Sequence, residues 1–516
     1  MSSNHHQRTA ARSLARSYFP AILILLMAAS SVDVLLGTQA QPVSANPKIL
    51  EATQFQGSLI GLQYESWFTP GNAGSWETAE AVPILGKYSS YDEKVLRKHE
   101  EWFEDLGINW LLLDWTNMLW MKPEWEKHEG ATHELEESTM LLFKTYRQLE
   151  QEGKHPPKLV LMLGLQNGPL VPHAVERLNG ILAWTKKNYL DNPEFKGLWL
   201  YYHGKPLLTI LIFTADSCGD SHKLLAETPL EAPDWTVRWM GSQLQDNHAE
   251  RCGMWSWMDG TIRQIVTRNN GIAEETVVTP SCFEFPGKGW KHPTATGRDH
   301  GAPYLESWKV AFESRPKFIQ IHQWNEFAGA KEGEGFPADY WGTPLDGSAG
   351  PQGKNSVYGD EYNLELSDDL EPVDREKCAY RGCGGWGYYY MNLTKAILSL
   401  YRGTTPDITI MALSGPYQSL TVEQQVLPLN WRVLGKQPTT FTVQLDGKVV
   451  AGDISAESYL LNLKGASEGK HRVTVTANGA HTYFDLDPSR LTNRSNQPLP
   501  VDSSIDFTYS PAVAGK

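Results

Sequence analysis

Eight short apolar runs separated by helix-like stretches constrain this chain more than any other feature. They are Leu59–Gln63, Trp110–Leu113, Leu159–Leu163, Leu207–Ile212, Thr236–Met240, Met254–Trp257, Thr276–Thr279 and Phe318–Ile321. Near-continuous apolar runs suit strands that are covered on both faces, as in a parallel sheet with crossover helices. Eight of them within about 270 residues match a closed (β/α)8 TIM barrel.

The intervening stretches support that expectation. Ser90-Tyr91-Asp92-Glu93 fits a capping box, after which Val95, Leu96, His99, Trp102, Phe103 and Leu106 form one helix face that Gly107 ends. Leu135, Thr139, Leu142, Tyr146 and Leu149 repeat the three-and-four spacing. From about Thr404 the pattern changes to alternating strands at Ile408–Met411, Gln424–Val433, Thr440–Leu445, Tyr459–Leu463, His471–Thr476 and Thr482–Leu486. Asp446-Gly447 is a hairpin signal ahead of Lys448–Ala451. The organisation expected is a signal over 1–45, a barrel over 46–403 and a small all-β, Ig-like or fibronectin-like sandwich over 404–516. Lys331 to Tyr388 is rich in Gly, Pro and Asp, has no clear periodicity, and is placed over the barrel mouth.

The signal rests on Arg8, Arg12 and Arg16, an apolar stretch from Phe19 to Leu36, and the small residues that follow. It implies a secreted or periplasmic chain with no membrane attachment after cleavage. Cleavage would remove three Arg and one Asp, taking the net charge from −14 to −16. Such a surface repels phosphate backbones, which argues against nucleic acid. Five cysteines is an odd count for an exported chain. Cys378 and Cys383 are spaced for a local disulfide, whereas Cys218, Cys252 and Cys282 read as buried thiols.

In such a barrel the chemistry belongs at the C-terminal ends of the strands. Those ends carry Tyr64, Glu65 and Trp67, then Asp114 and Trp115, then Gln166 and Asn167. Later ends carry Trp257 and Asp259, Glu284, and finally His322, Gln323, Trp324, Asn325 and Glu326. Alternation places Gln320, His322, Trp324 and Glu326 together, facing the axis. Glycoside hydrolysis needs one carboxylic acid to protonate the leaving oxygen and a second carboxylate as base or nucleophile. Indoles stack on the C–H faces of sugars, with Trp67, Trp115 and Trp257 the best placed of 19 Trp.

Other groups have plainer readings. His322 has no second His at ligand spacing and reads as a pocket residue; no catalytic metal or cofactor is expected. Glu332, Glu334, Asp360, Glu361, Asp368 and Asp369 are candidates for a structural Ca²⁺, but do not match an EF-hand. His292, Arg298, Asp299 and His300 either contact an anionic sugar substituent or form a solvated loop.

The stretch Pro83-Ile84-Leu85-Gly86-Lys87-Tyr88-Ser89-Ser90-Tyr91-Asp92, with Val95, His99, Gly107 and Asp114-Trp115, resembles the early barrel of glycoside hydrolase family 99. Tyr64 and Trp67, Tyr202-His203-Gly204-Lys205-Pro206 and Trp324-Asn325-Glu326-Phe327 are similar to the same group, so the likeness spans residues 58–330. The resemblance implies a (β/α)8 barrel, retaining cleavage of α-mannosides, and two carboxylates after a late strand. Glu326 matches the first of them. The second falls near Gly329, where this chain has no acid.

The expectation is therefore a glycosidase acting on an extracellular polysaccharide or glycan, with Glu326 paired to Glu284 or Asp114 and with Glu332 as another substitute. The remaining side chains at the strand ends would bind substrate. The rivals are a glycan-binding barrel without catalysis and a metal-dependent hydrolase of a glycan substituent.

Overall fold

The apolar runs form eight parallel strands: β1 Leu59–Tyr64, β2 Trp110–Trp115, β3 Lys158–Gln166, β4 Lys205–Ile212, β5 Thr236–Gly241, β6 Trp255–Ser256, β7 Ile272–Val278 and β8 Phe318–Ile321. The structure is a computed structural model, and it describes residues 49–70, 75–116, 127–166, 173–212, 225–241, 253–257, 264–281, 297–327, 364–380, 382–404, 408–413, 420–482 and 501–511. Parallel ladders run from β1 through β6 in chain order, and β7 pairs with β8, which returns to β1 with Phe318 opposite Leu59. At the remaining seam the Glu275 side chain stands in for a ladder, its Oε2 accepting from Ser256 N at 3.0 Å.

Alternation sorts the strand residues into two cores. Leu59, Trp110, Leu112, Val160, Met162, Leu211, Met240, Trp255 and Phe318 pack inside the barrel. Ile60, Leu62, Tyr64, Leu111, Leu113 and Trp115 face outward against the helices. Gly61 points inward beside Trp110, where a Cβ would overlap the indole. At the N-terminal end of β7, Glu274 is held by Arg238, Tyr202 and Trp255, with distances of 2.7–3.0 Å. That face of a barrel serves stability rather than chemistry.

Helix α1, Glu93–Leu106, lays Val95, Leu96, His99, Trp102, Phe103 and Leu106 on the outer core. Its N-cap is Asp92, which accepts from Lys94 N at 2.9 Å. Ser90, the residue that the capping-box pattern favoured, instead accepts from Phe68 N at 3.1 Å. Gly107 closes the helix at φ 75, in the left-handed region that glycine enters without a Cβ clash. Further helices are α2 Gly130–Gln151, α3 Ala174–Thr185, α4 Ala302–Ser314 and α5 Tyr389–Tyr401.

The C-terminal strands form a sandwich of two sheets. One contains β9 Thr409–Leu413, β11 Val426–Gly435 and β14 Ser458–Asn462. The other contains β10 Leu420–Val422, β12 Thr440–Leu445, β13 Lys448–Ile454, β15 Gly469–Asn478 and β16 Val501–Tyr509. The β12–β13 turn is Asp446-Gly447, at φ 50 and 75. Most of the strand expected at Thr482–Leu486 lies outside the described residues, and β16 went unrecognised in the sequence. Arg375 pairs with Asp502 at 3.0 Å and Arg472 with Glu376 at 3.2 Å, joining the sandwich to the segment that follows the barrel. Cys378 and Cys383 form the expected local disulfide.

Candidate active site

Inward-facing side chains at the C-terminal ends of β1, β2 and β8 meet in one polar cluster. Gln63, Glu65 and Asp114 continue the inward registers of Leu59 and Trp110. Past Ile321 the ladder stops, and the backbone is held by other partners. Trp324 N donates to Gln63 O at 2.9 Å, Gln323 N to Asp368 O at 3.1 Å, and Glu371 N to Trp324 O at 2.9 Å. The segment 367–371 is thereby laid along the exit of β8.

Four side chains close a ring. His322 Nδ1 donates to Gln63 Oε1 at 2.8 Å, and Gln63 Nε2 donates to Gln323 Oε1 at 3.3 Å. Gln323 Nε2 donates to Asp368 Oδ1 at 3.2 Å. His322 Nε2 lies 3.0 Å from Asp368 Oδ2, an electrostatic contact too poorly angled for a hydrogen bond. Trp257 Nε1 donates to the same Gln63 oxygen at 2.5 Å, which fixes the orientation of that amide. The amide nitrogens then point at carboxylates: Gln63 Nε2 reaches Glu65 at 3.0 Å and Asp114 at 3.4 Å, and Gln323 Nε2 reaches Glu326. Sharing one donor places the Glu65 and Asp114 oxygens within roughly 6.5 Å of each other.

Around the ring lies a supporting layer. Asn325 accepts from Glu65 N at 2.8 Å and donates to Glu65 O and to Tyr88 OH, both at 3.0 Å. Tyr88 OH donates to Glu371 at 2.7 Å; Glu371 also contacts His99 at 3.2 Å, and His99 contacts Tyr64 OH at 3.1 Å.

Access separates these groups. Gln63, His322, Gln323 and Asp368 are sealed, whereas Asp114 is 8% exposed, Trp257 8% and Glu326 7%. Those three are the least buried of the cluster. Burial pushes the Asp114 carboxyl up to about 6, against the opposing pull of the Thr116 N–H and hydroxyl and of His322. Burial, followed by repulsion from Asp114, lifts Glu65 well above the ordinary carboxylate range. Its Oε2 has no hydrogen-bond partner among the described residues, which further disfavours its charged form.

The structure brings together Asp114, Glu65, Trp257, His322, Gln323, Asn325 and Glu326 from the expected set. It corrects three aromatic assignments. Tyr64 faces outward onto His99 and Phe103. Trp115 also faces outward, packing on Tyr189 and Trp184 and donating to Thr139 at 3.0 Å. Trp324 leaves the axis for Trp102 and Phe103, because alternation ends where β8 ends. Trp67 is half-buried against the outer core. Asn167, Asp259, Glu284, Gly329, Glu332, and the side chain of Gln166 lie outside the described residues.

Sequence reasoning missed the roles of Gln63, Asp368, Asp369 and Glu371. Gln63 was the detectable one, two residues before Glu65 on the inward register. Asp368 and Asp369, weighed as Ca²⁺ ligands, are tied here to amides, backbone N–H groups and His322. Among the described residues no group of three or more His, Cys, Asp or Glu is arranged to hold a metal. Arg298 is fully buried against Trp386 and Tyr390, at 3.7 and 4.4 Å, rather than lying in a solvated loop.

The fold is similar to that of glycoside hydrolases. The GH99 endo-alpha-mannosidase from Bacteroides thetaiotaomicron aligns over 67% of this chain and 97% of its own, at 17% identity and a TM-score of 0.43. The endo-beta-1,4-mannanase from Thermotoga petrophila aligns over 90% of this chain and all of its own, at 10% identity and TM-score 0.36. Fibronectin(III)-like modules of Clostridium thermocellum CbhA cover 20% of this chain and 100% of their own, at 17% identity and TM-score 0.14. No family model and no curated protein matches the chain. At these identities and TM-scores the alignments carry no functional argument, so a functional reading has to come from the barrel mouth.

Proposed function

We propose that the chain is a glycosidase acting on a polysaccharide or glycan, with Asp114 as general acid and Glu326 as base or nucleophile. The observation that carries this reading is that Asp114 and Glu326 are the least buried acids of the cluster at the strand ends, each tied to it by the amide of Gln63 or Gln323. An acid at about 6 keeps its proton in mildly acidic solution, well above the ordinary aspartate range, yet can release it to a departing glycosidic oxygen. Glu326 accepts from the Gln323 amide, which orients its carboxyl. Trp257 supplies aromatic surface on which sugar C–H faces pack.

The test uses a panel of neutral polysaccharides (α-mannan, β-1,4-mannan, xylan, amylose and β-glucan), reading new reducing ends. Wild type should cleave at least one, and Asp114→Asn and Glu326→Gln should each lose at least about a thousandfold while remaining folded. Near wild-type turnover in either variant would overturn its assignment.

One observation favours a second reading. No acid stands at Gly329, where the resemblance expects the second carboxylate, so a saccharide-binding mouth without turnover also fits. Binding of a panel member by calorimetry, with no reducing ends after prolonged incubation, would establish it.

We also propose export from the cytoplasm. The Arg-then-apolar start of the chain and the Cys378–Cys383 disulfide support it, since disulfides persist in oxidising compartments. No described helix is long and apolar enough to cross a membrane. Fractionation of cells expressing the full chain tests this; recovery in the cytoplasm with its first residues retained would reject it.

A further inference from the structure

Glu326 lies beyond the last residue of β8, where no ladder fixes its backbone. Asp369 takes over that task. Its Oδ1 accepts from Glu326 N at 2.5 Å and its Oδ2 from Phe327 N at 3.1 Å, so one carboxylate grips two successive amides. Phe327 is held at φ 46, a left-handed conformation that a bulky residue rarely adopts without restraint. Its carbonyl is also engaged, accepting from Glu80 N at 3.1 Å.

The grip has an anchor. Ser367 Oγ donates to Asp369 Oδ2 at 2.9 Å, while Arg298 Nη2 donates to Asp369 O at 2.7 Å and to Ser367 Oγ at 3.1 Å. The guanidinium is immobilised between the rings of Trp386 and Tyr390. Its position is therefore set by packing rather than by solvent.

We propose that Asp369, braced by Arg298 through Ser367, is the positioning residue of the site: it sets the backbone at Glu326 and with it the reach of the Glu326 carboxylate. The kinetic part of this proposal rests on Glu326 being catalytic; the geometric part does not. Asp369 faces Glu80, Glu65 and Asp368 as well as Arg298. Burial pushes its carboxyl up to about 6, so a fall in pH through that value adds a proton and weakens an acceptor needed twice.

Two variants test the proposal, Asp369→Asn and the milder Ser367→Ala, compared with Glu326→Gln. A crystal structure of Asp369→Asn should show the backbone at Glu326 displaced by about 1 Å, which would cost on the order of 10- to 100-fold in kcat with KM within about twofold. The acid limb of its kcat profile should move or vanish, and Ser367→Ala should lose less. An unmoved Glu326 in the Asp369→Asn structure overturns the proposal whether or not the wild type turns over. An unchanged kcat and acid limb in both variants, with Glu326→Gln inactive, overturns it while leaving the glycosidase reading intact. Full activity in Glu326→Gln instead removes the catalytic reading and leaves the grip to be judged on the structure.

Discussion

The side-chain amides of Gln63 and Gln323 are joined head to tail, Nε2 of the first donating to Oε1 of the second at 3.3 Å. One amide comes from the end of the first barrel strand and the other from just past the eighth, so the barrel's closure and the alignment of its acids share one bond. Replacing Gln63 by Met would keep the volume but leave Trp257 Nε1 and His322 Nδ1 without their acceptor. Gln63→Met should destabilise the fold by about 3 kcal/mol and lower turnover more than tenfold, measured by denaturant unfolding and initial rates. A loss below about 1 kcal/mol would show that the ring is dispensable.

Asp114 links activity and stability to pH. In the proposed role of general acid it must be protonated, so turnover should fall as pH rises above about 6. Its raised value means that the folded chain holds a proton that the unfolded chain has already released. Stability on this account is lowest above pH 6 and recovers as pH falls toward the unfolded value near 4. Asp114→Asn should therefore be inactive yet more stable than wild type at pH 7, by on the order of 2 kcal/mol, with the difference shrinking by pH 4.5. Equal unfolding midpoints at pH 7 would contradict this.

Two tryptophans separate packing from function. Trp115 packs behind the strands and Trp257 lies on the floor of the mouth. Trp115→Phe should cost about 1–2 kcal/mol through the lost Thr139 bond and packing, and leave KM unaltered. Trp257→Phe should lower kcat or raise KM several-fold. Paired kinetics and thermal melts decide; a KM effect from Trp115→Phe would reinstate it as a substrate contact.

Gly61 is required by its neighbour. A methyl group there meets the Trp110 indole inside the barrel, so Gly61→Ala should destabilise by about 3 kcal/mol or prevent folding. Adding Trp110→Leu should recover part of the loss, as read by denaturant midpoints, because the smaller side chain makes room. Failure of the pair to recover would point to backbone strain instead.

The strands were legible because burial on both faces leaves continuous apolar runs; Glu65 and Asp114 followed from their places at strand ends, and His322 from the inward register of the last strand. Alternation misled where the strand had ended, at Trp324, whereas Tyr64 and Trp115 were misplaced because they were read as strand-end aromatics without regard to the alternation that sends them outward. Asp368 and Asp369 were illegible as site residues because they arrive on a segment without periodicity, and long-range pairing leaves no local trace. One miss was avoidable: Val501, Ile505, Phe507 and Tyr509 keep the two-residue period of a half-buried strand.

The pairing of residues 323–324 with 368–371 has a consequence for how this architecture can change. Both ends of the intervening stretch are sewn to the eighth-strand exit by main-chain bonds, Gln323 N to Asp368 O, Leu370 N to Gln323 O and Glu371 N to Trp324 O. A chain tied off in this way behaves like a drawstring bag. Its contents can be lengthened, shortened or exchanged at little entropic cost, while the knot that presents Asp368, Asp369 and Glu371 stays in place. The positions of those three acids are thereby set by the knot and not by the length of chain between its ends.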